Sequence, residues 1–398
     1  MTPLVVSKKF AKGIYTRASS FARYLSDMAW LAAQPSGSAR TISVAKVSDR
    51  EVYTSEQQFY PLSAYRKQIR GRLGVAYLDL ELQDVLRAPK ALLAASDIVL
   101  LKLSFQLSRE SAVLIAWQIR EAVGAEKTIV YFDGDDDLCV QWPEVLDVVD
   151  IYIKKQAFKD RQMYQTRFIG KSNITDYVAR RFGVSFAEDP VAAHSDPLSE
   201  QQISKIAIGW NIALDQRMMQ LRDQLTGQSL AEKPNDVVCR AALPADWMAY
   251  LRRDIEPILA RLERRCRVIA PKQRVPQQVY LQEMLTSKIC IGPVGYGEIC
   301  WRDIEAVLCG CLLIKPDMAH VETYPDIYRP LQTYVPVAWD YSDLEEKCLY
   351  YLAHEAERKL IVEEARKTLL DFYTQGFMSR LTGLLGARPM IGAHLAGS

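Results

Sequence analysis

SKICIGPVGYGEICWRDIEAVLCGCLLIKPD, residues 287–317, holds the decisive pattern of this 398-residue chain. It opens with an apolar run, Ser287 to Ile291, which reads as a buried strand. A loop with Gly292, Gly295 and Gly297 follows, and Glu298 to Leu308 reads as a helix. Cys309-Gly310-Cys311 reads as the packed turn out of that helix, and Cys311 to Ile314 as the next strand. Glycines let a backbone come close to a ligand, and a helix N-terminus offers unpaired N–H groups and a positive dipole end. The loop is therefore an anion site, for which a diphosphate is the natural anion. Arg302 and Glu305 lie three residues apart on one helical face. A carboxylate there accepts two hydroxyls of a ribose, and an arginine there pairs with phosphate or fixes the carboxylate.

Working outward, the same alternation repeats. Val237–Arg240 and Arg267–Ala270 read as strands, Trp247–Arg264 and Gln277–Leu285 as helices, and Leu331–Val335 as a strand before helices that fill 342–386. In the first half, Thr41–Val47, Leu73–Tyr77, Asp97–Leu103, Thr128–Phe132 and Val148–Ile153 read as strands, with a helix expected at Gln156–Gln165. The strand runs are continuously apolar, as in parallel sheets covered on both faces. A stretch with two prolines, 184–202, interrupts the pattern. The expected fold class is α/β, two Rossmann-like domains facing across a cleft, with an N-terminal helical extension. The expected divisions are 1–40 (extension), 41–195 (first Rossmann-like domain), 196–375 (second) and 376–398 (C-terminal helix and tail).

Composition narrows the function. Lys+Arg is 50 against Asp+Glu 48, a net charge of +2, which argues against a nucleic-acid partner. No apolar run reaches 18 residues, so no spanning helix is expected. The eight cysteines show no CxxC spacing and the four histidines none that suits zinc, so no metal site and free thiols in a reducing cytoplasm are expected. Residues 8–33 combine Lys8, Lys9, Lys12, Arg17 and Arg23 with Phe10, Tyr15, Phe21, Tyr24 and Trp30. They read as a helix packed on the body or, alternatively, as a peripheral contact with the inner face of an anionic membrane.

Residues 280–360 resemble the nucleotide-sugar-binding half of GT-B glycosyltransferases, and in pattern the glycosyltransferase-family-1-like and exostosin-like domains of bacterial polysaccharide enzymes. The shared order is strand, small-residue loop, Arg302-x-x-Glu305-Ala306, Gly310, strand. The resemblance extends over roughly 240–375 and implies a transferase that moves a sugar from a nucleotide-sugar donor to a hydroxyl of a glycan or lipid-linked acceptor. It implies no tightly bound cofactor, the nucleotide-sugar being a substrate. By resemblance Glu305 holds the ribose, while Arg302 and the loop around Gly295, Tyr296, Gly297 and Glu298 face the diphosphate. Lys315 and His320 would line the same pocket. One departure stands out: retaining relatives often carry two glutamates with seven residues between them, and Glu298 and Glu305 have six.

Arg240 follows the first strand of the second domain, where a basic side chain reaches the phosphates. Lys272 and Arg274 are weaker candidates after the next strand. In the first domain, Asp133-Gly134-Asp135-Asp136-Asp137 ends a strand. A cleft carboxylate is the usual base for a hydroxyl, so Asp135 and Asp136 are the catalytic candidates. Lys154, Lys155, Lys159 and Arg161 read as a solvated basic face or a patch for an anionic acceptor. Two alternatives remain on the same architecture: an epimerase-like nucleotide-sugar enzyme, and a non-catalytic two-lobed sugar-binding protein.

Overall fold

The computed structural model describes residues 20–33, 41–49, 53–87, 91–187, 194–226, 232–241, 246–271 and 273–386. Two parallel sheets organise them. The first runs β2-β1-β3-β4-β5-β7, with β1 Ile42–Ser48, β2 Val75–Glu81, β3 Ile98–Lys102, β4 Thr128–Asp133, β5 Ile151–Lys154 and β7 Ile206–Ile208. The second runs β13-β11-β10-β8-β9, with β8 Asn235–Val238, β9 Val268–Ile269, β10 Ser287–Ile291, β11 Leu312–Pro316 and β13 Val335–Val337. Every neighbouring pair within them is parallel. Central strands such as Ile98–Lys102 and Leu312–Pro316 are buried at every residue, which is why their sequences are apolar up to Lys102 and Lys315 near their carboxyl ends.

In each sheet the chain winds outward one way from its first strand and then reverses. The reversals lie between β1 and β3 and between β8 and β10. Ligands of such sheets bind beyond the carboxyl ends of the strands at that point. At the opposite, amino end of the second sheet Gly310, with φ 70, makes the tight exit from the Trp301–Leu308 helix into β11.

Several elements differ from the sequence reading. Strand β7 pairs with β5, so residues 206–208 belong to the first sheet and the boundary expected at 195/196 lies beyond them. The helix expected at Gln156–Gln165 is a strand, β6 Gln156–Phe158, followed by a 3₁₀ turn. It pairs antiparallel with β12, Val321–Thr323, of the other lobe. Three fully buried residues carry no helical periodicity; the partners that make them a strand, Val321 to Thr323, are far away in the chain. The Trp247–Arg264 helix is two, Met248–Arg252 and Ile255–Leu262, and Glu298 lies in the loop before the Trp301–Leu308 helix rather than in it.

The lobes are held together at two further places. The first-lobe helix Asn173–Phe182 is started by a Ser172 capping box and ended by Gly183 in the left-handed region. Its Ile174 and Val178 share an apolar cluster with Met248, Leu251 and Val294 of the second lobe. The Phe377–Gly386 helix, within the C-terminal segment expected at 376–398, returns to the first lobe. There Phe377 packs on Tyr65 and Trp210, with centroids 4.6 and 5.1 Å away. Residues 387–398 lie outside the described residues. At the other end, residues 20–32 form a helix whose Asp27 pairs with Arg66 at 2.6 Å and Arg70 at 2.8 Å. The expected packing on the body therefore holds for this part; residues 8–19 lie outside the described residues.

Candidate functional site

The second reversal point places the sequence candidates around one loop. Gly295 donates to the Gly297 carbonyl at 3.0 Å, closing the 292–297 turn. Arg302, in the first turn of the following helix, donates Nη2 to the Arg240 carbonyl at 2.6 Å. Its Nε and Nη1 are buried with no hydrogen-bond partner. A second arginine, Arg252, reaches the loop from the Met248–Arg252 helix, with Nε and Nη2 at 3.2 and 3.1 Å from the Val294 carbonyl. Burial and then the Arg302 charge hold its pKa below the usual arginine range. The buried Tyr341 hydroxyl, on which both arginines act, also has no partner. Unpaired buried donors cost about 1–3 kcal/mol each unless something accepts from them. Two guanidiniums and a phenol at a strand-end crevice beside a helix N-terminus make an anion receptor. Arg252 and Tyr341 escaped the sequence reading because they lie about 40 residues from the loop on either side, on elements with no motif of their own.

Other candidates are placed differently. Arg240 is bidentate to Glu283, both contacts at 2.5 Å, and donates to the Gln273 carbonyl, so its guanidinium is held by a carboxylate of its own lobe. Lys315 is fully buried, pairs with Asp303 at 2.8 Å and holds the Glu298 carbonyl at 2.7 Å. It shapes the loop from behind. Glu305 is 2% exposed and accepts from Arg217 at 2.7 Å, Tyr280 at 2.7 Å and Gln277 at 3.4 Å. Arg217, itself stacked over Trp301, is the half-exposed member of this set. Tyr296 is exposed and donates to Asp246 at 2.6 Å. Lys272 lies outside the described residues.

The aspartates of the first lobe do not form an unneutralised acidic patch. Each aspartate after β4 meets a lysine of its own lobe: Asp133–Lys154 at 2.5 Å, Asp135–Lys102 at 3.5 Å, Asp136–Lys155 at 2.6 Å and Asp137–Lys171 at 2.8 Å. Lys154 and Lys155 are thus buried partners rather than a solvated face, because a buried carboxylate needs a paired cation. Burial pulls Asp133 upward, but Lys154 and Lys102 outweigh it and leave its carboxyl below the usual range. Burial wins at Asp135, which is raised. Burial, with repulsion from Asp135 and Glu298 against the pull of Lys171, lifts Asp137 to about 6. Among the described residues no group of three or more His, Cys, Asp or Glu is arranged to hold a metal ion.

This acidic loop touches the glycine loop. A Cβ on Gly297 would lie 2.0 Å from the Asp136 carbonyl oxygen. The fully buried Glu298 accepts from Asn173 at 2.8 Å and Gln156 at 3.4 Å, both of the first lobe, and meets His320 Nε2 at 3.4 Å. His320, its ring tilted at 52° to that of Trp339 with centroids 5.7 Å apart, is about one-third exposed. The lobes therefore meet at a junction of Asp137, Lys171, Glu298 and His320, of which the sequence reading had singled out only Glu298 and His320.

Residues 249–381 match the glycosyl transferase-like family. No curated protein matches. Among solved structures, a glycosyltransferase from Rickettsia africae is 10% identical, covering 90% of this chain and 100% of its own, with a TM-score of 0.44. A UDP-forming α,α-trehalose-phosphate synthase from Burkholderia vietnamiensis is 13% identical over 91% and 99%, at 0.44. The sucrose-phosphate synthase of Thermosynechococcus elongatus is 13% identical over 88% and 100%, at 0.40.

Proposed function

We infer from the glycosyl transferase-like domain at 249–381 that this chain is a glycosyltransferase, using a nucleotide-sugar whose diphosphate sits between Arg302, Arg252, Tyr341 and the Gly295–Gly297 turn. The carrying observation is the set of buried, unpartnered donors on Arg302 and Tyr341 at the second reversal point. As the bond to the sugar breaks, charge grows on the departing diphosphate, and donors already aimed there stabilise it without reorganising. The first lobe presents the acceptor hydroxyl, of a glycan or a lipid-linked sugar, at the junction beside Asp137. Asp135 and Asp136 sit in the same loop, the first as buried as Asp137 and the second more exposed.

Glu305 is assigned to the ribose. Its carboxylate already accepts two strong bonds, so the ribose hydroxyls enter from the side of half-exposed Arg217. No metal step is proposed, since lysines neutralise the loop acids. The test is a thermal-shift series with UDP, GDP, ADP and CMP and their sugars. One diphosphate series stabilises the wild type, by mass action, and loses that effect in Arg302→Met. No shift with any nucleoside diphosphate, or an unchanged shift in Arg302→Met, rejects the site.

A second reading, an epimerase-like enzyme, has one observation in its favour: Asp137, Glu298 and His320 converge into an acid–histidine set. Conversion of a nucleotide-sugar to its isomer without acceptor would select it.

Residues 8–33 are proposed as a peripheral membrane contact at the cytoplasmic face. In their described part, Phe21 and Leu25 lie exposed on the 20–32 helix, one turn apart. Among the described residues no helix is long and apolar enough to cross a membrane. Co-sedimentation with phosphatidylglycerol vesicles, abolished in the Phe21→Ser/Leu25→Ser double variant, supports this contact; equal sedimentation of both proteins refutes it.

A further inference from the structure

We propose that Asp137 is the group that takes the proton from the acceptor hydroxyl as that oxygen attacks the donor sugar. The proposal rests on the glycosyl-transfer reading above.

Position argues first. The attacking oxygen must lie within reach of both the first lobe, which presents it, and the donor held by the second. Asp137 directly follows Asp136, whose carbonyl is the point where the carboxyl-end loop of β4 packs on Gly297 of the glycine loop. The charges acting on it come from both sides: Lys171 and Asp135 from its own lobe and Glu298 from the other. Asp135 is surrounded by Lys102, Asp133, Lys154 and Lys155, all first-lobe groups. Asp136 binds Lys155 and is 52% exposed, so water competes for it.

Valence argues second. One Asp137 oxygen, Oδ2, is held by Lys171 at 2.8 Å, while Oδ1 is buried and accepts nothing. An orphaned carboxylate oxygen costs stability and calls for an explanation. A hydroxyl donating to Oδ1 supplies one. Lys171 fixes the carboxylate through the opposite oxygen, so Oδ1 is presented in a defined direction. At Asp133, by contrast, both oxygens are engaged, by Lys154, Tyr152 and the Asp135 amide. Asp135 Oδ1 is also buried without a hydrogen-bond partner, but it lies 3.5 Å from Lys102 among first-lobe groups, so position is what separates it from Asp137.

The charges are consistent with this task. The groups facing Asp137 are Lys171, ahead of the Asn173–Phe182 helix, Asp135 in its own loop, Glu298 from the glycine loop, and the Cys139 thiol. Burial first, and then the Asp137 charge, push that thiol up to about 12, so it stays neutral beside the carboxylate. A carboxylate raised to about 6 is ionised at neutral pH yet basic enough to accept a proton in the transition state.

The step balances. The acceptor O–H proton moves to Oδ1, the acceptor oxygen bonds to the anomeric carbon, and the bond from that carbon to the diphosphate oxygen breaks with its electron pair leaving on the diphosphate. A single displacement of this kind inverts the anomeric centre. Glu298 and Glu305, with six residues between them rather than seven, agree with a route that uses no second-lobe nucleophile.

The experiment uses the full chain with UDP-glucose, UDP-N-acetylglucosamine and GDP-mannose, each with a panel of octyl glycosides as acceptors. Nucleoside diphosphate release and the anomeric configuration of the product are read together. Asp137→Asn is expected to lower kcat by about 10²–10⁴-fold while keeping the thermal shift with nucleoside diphosphate. The wild-type pH–rate profile is expected to fall below a pH of about 6. Lys171→Met is expected to move that acid limb upward, an effect a purely structural lysine would not produce, and it decides the matter if Asp137→Asn does not fold. Activity of Asp137→Asn within about threefold of wild type, a retained product, or an unmoved acid limb in Lys171→Met each overturns the proposal. Wild-type transfer with any of these results leaves the glycosyltransferase reading standing. No release from any donor by the wild type overturns both.

Discussion

Replacing Gly297 by alanine tests the junction between the lobes most directly. The added Cβ would stand 2.0 Å from the Asp136 carbonyl oxygen, 2.7 Å from its carbon and 3.0 Å from its Cβ. The first two are backbone atoms, so no rotamer change relieves the contact, and one of the two loops must retreat by at least about 1 Å to restore normal packing. Overpacking of this size costs about 1–3 kcal/mol. The strained loops belong to different lobes, so the relief is a local parting of the junction, and the stability loss falls at the low end of that range. Activity suffers more, because a misplacement of about 1 Å between reacting groups costs on the order of 10²-fold. Turnover by nucleoside diphosphate release and thermal melting should be measured on the same preparation, beside Gly295→Ala. There the added Cβ meets two side chains, Cys300 Sγ at 3.2 Å and Arg252 Nη2 at 3.7 Å, and one backbone atom, the Gly297 carbonyl oxygen, at an ordinary 3.9 Å, so the loss should be several-fold smaller. Full turnover in Gly297→Ala would refute the claim that the two loops meet at the reacting centre.

Two other outcomes follow from groups described or newly considered. Lys233 donates to the carbonyls of Met284, Leu285, Ser287 and Cys309, at 3.4, 3.1, 2.9 and 3.0 Å, tying the ends of two helices to β10. Lys233→Met should cost about 2–3 kcal/mol of unfolding free energy in urea, and no loss would show that water serves those carbonyls equally well. The second concerns pH. The folded-state pKa of Asp137, about 6, lies above its ordinary value of 3.8, so its contribution to stability is complete below about 4 and is lost as pH rises through 6. The loss is bounded at about 3 kcal/mol. Urea unfolding at pH 5 and pH 8 should show wild type losing more stability over that interval than Asp137→Asn, and equal losses would contradict the burial of this carboxylate.

The sequence carried the two parallel sheets, because buried strands such as β3 and β11 open with the unbroken apolar runs Ile98–Leu101 and Leu312–Ile314 and glycines punctuate the turns. It also located the loop at 292–297 and Arg302. It did not separate Asp137 from Asp135 and Asp136, since three adjacent aspartates look alike until their lysines are in place. Those lysines come from β3, from the end of β5 and from residue 171, positions that no local pattern links to the loop. Lys154 and Lys155 show the same limit: a run of basic residues reads as a wet surface, and only the folded sheet turns it inward. Glu305 was singled out by pattern, but its enclosure by Arg217, Tyr280 and Gln277 was not legible, because it depends on three helices packing together.

The β6–β12 ladder has a consequence for how this protein can be taken apart. Val321, Glu322 and Thr323 of the second lobe are registered on Phe158, Ala157 and Gln156 of the first, and Asn211 adds bonds to Thr323 and Pro325. Cutting the chain between its two sheets would strip one strand of its backbone partner and bare the Ile174 and Val178 face. The halves are consequently not interchangeable cassettes. A chimera that borrows a donor half from another such protein must import the strand pair 156–158 and 321–323 as one unit, or accept a seam of unsatisfied amides.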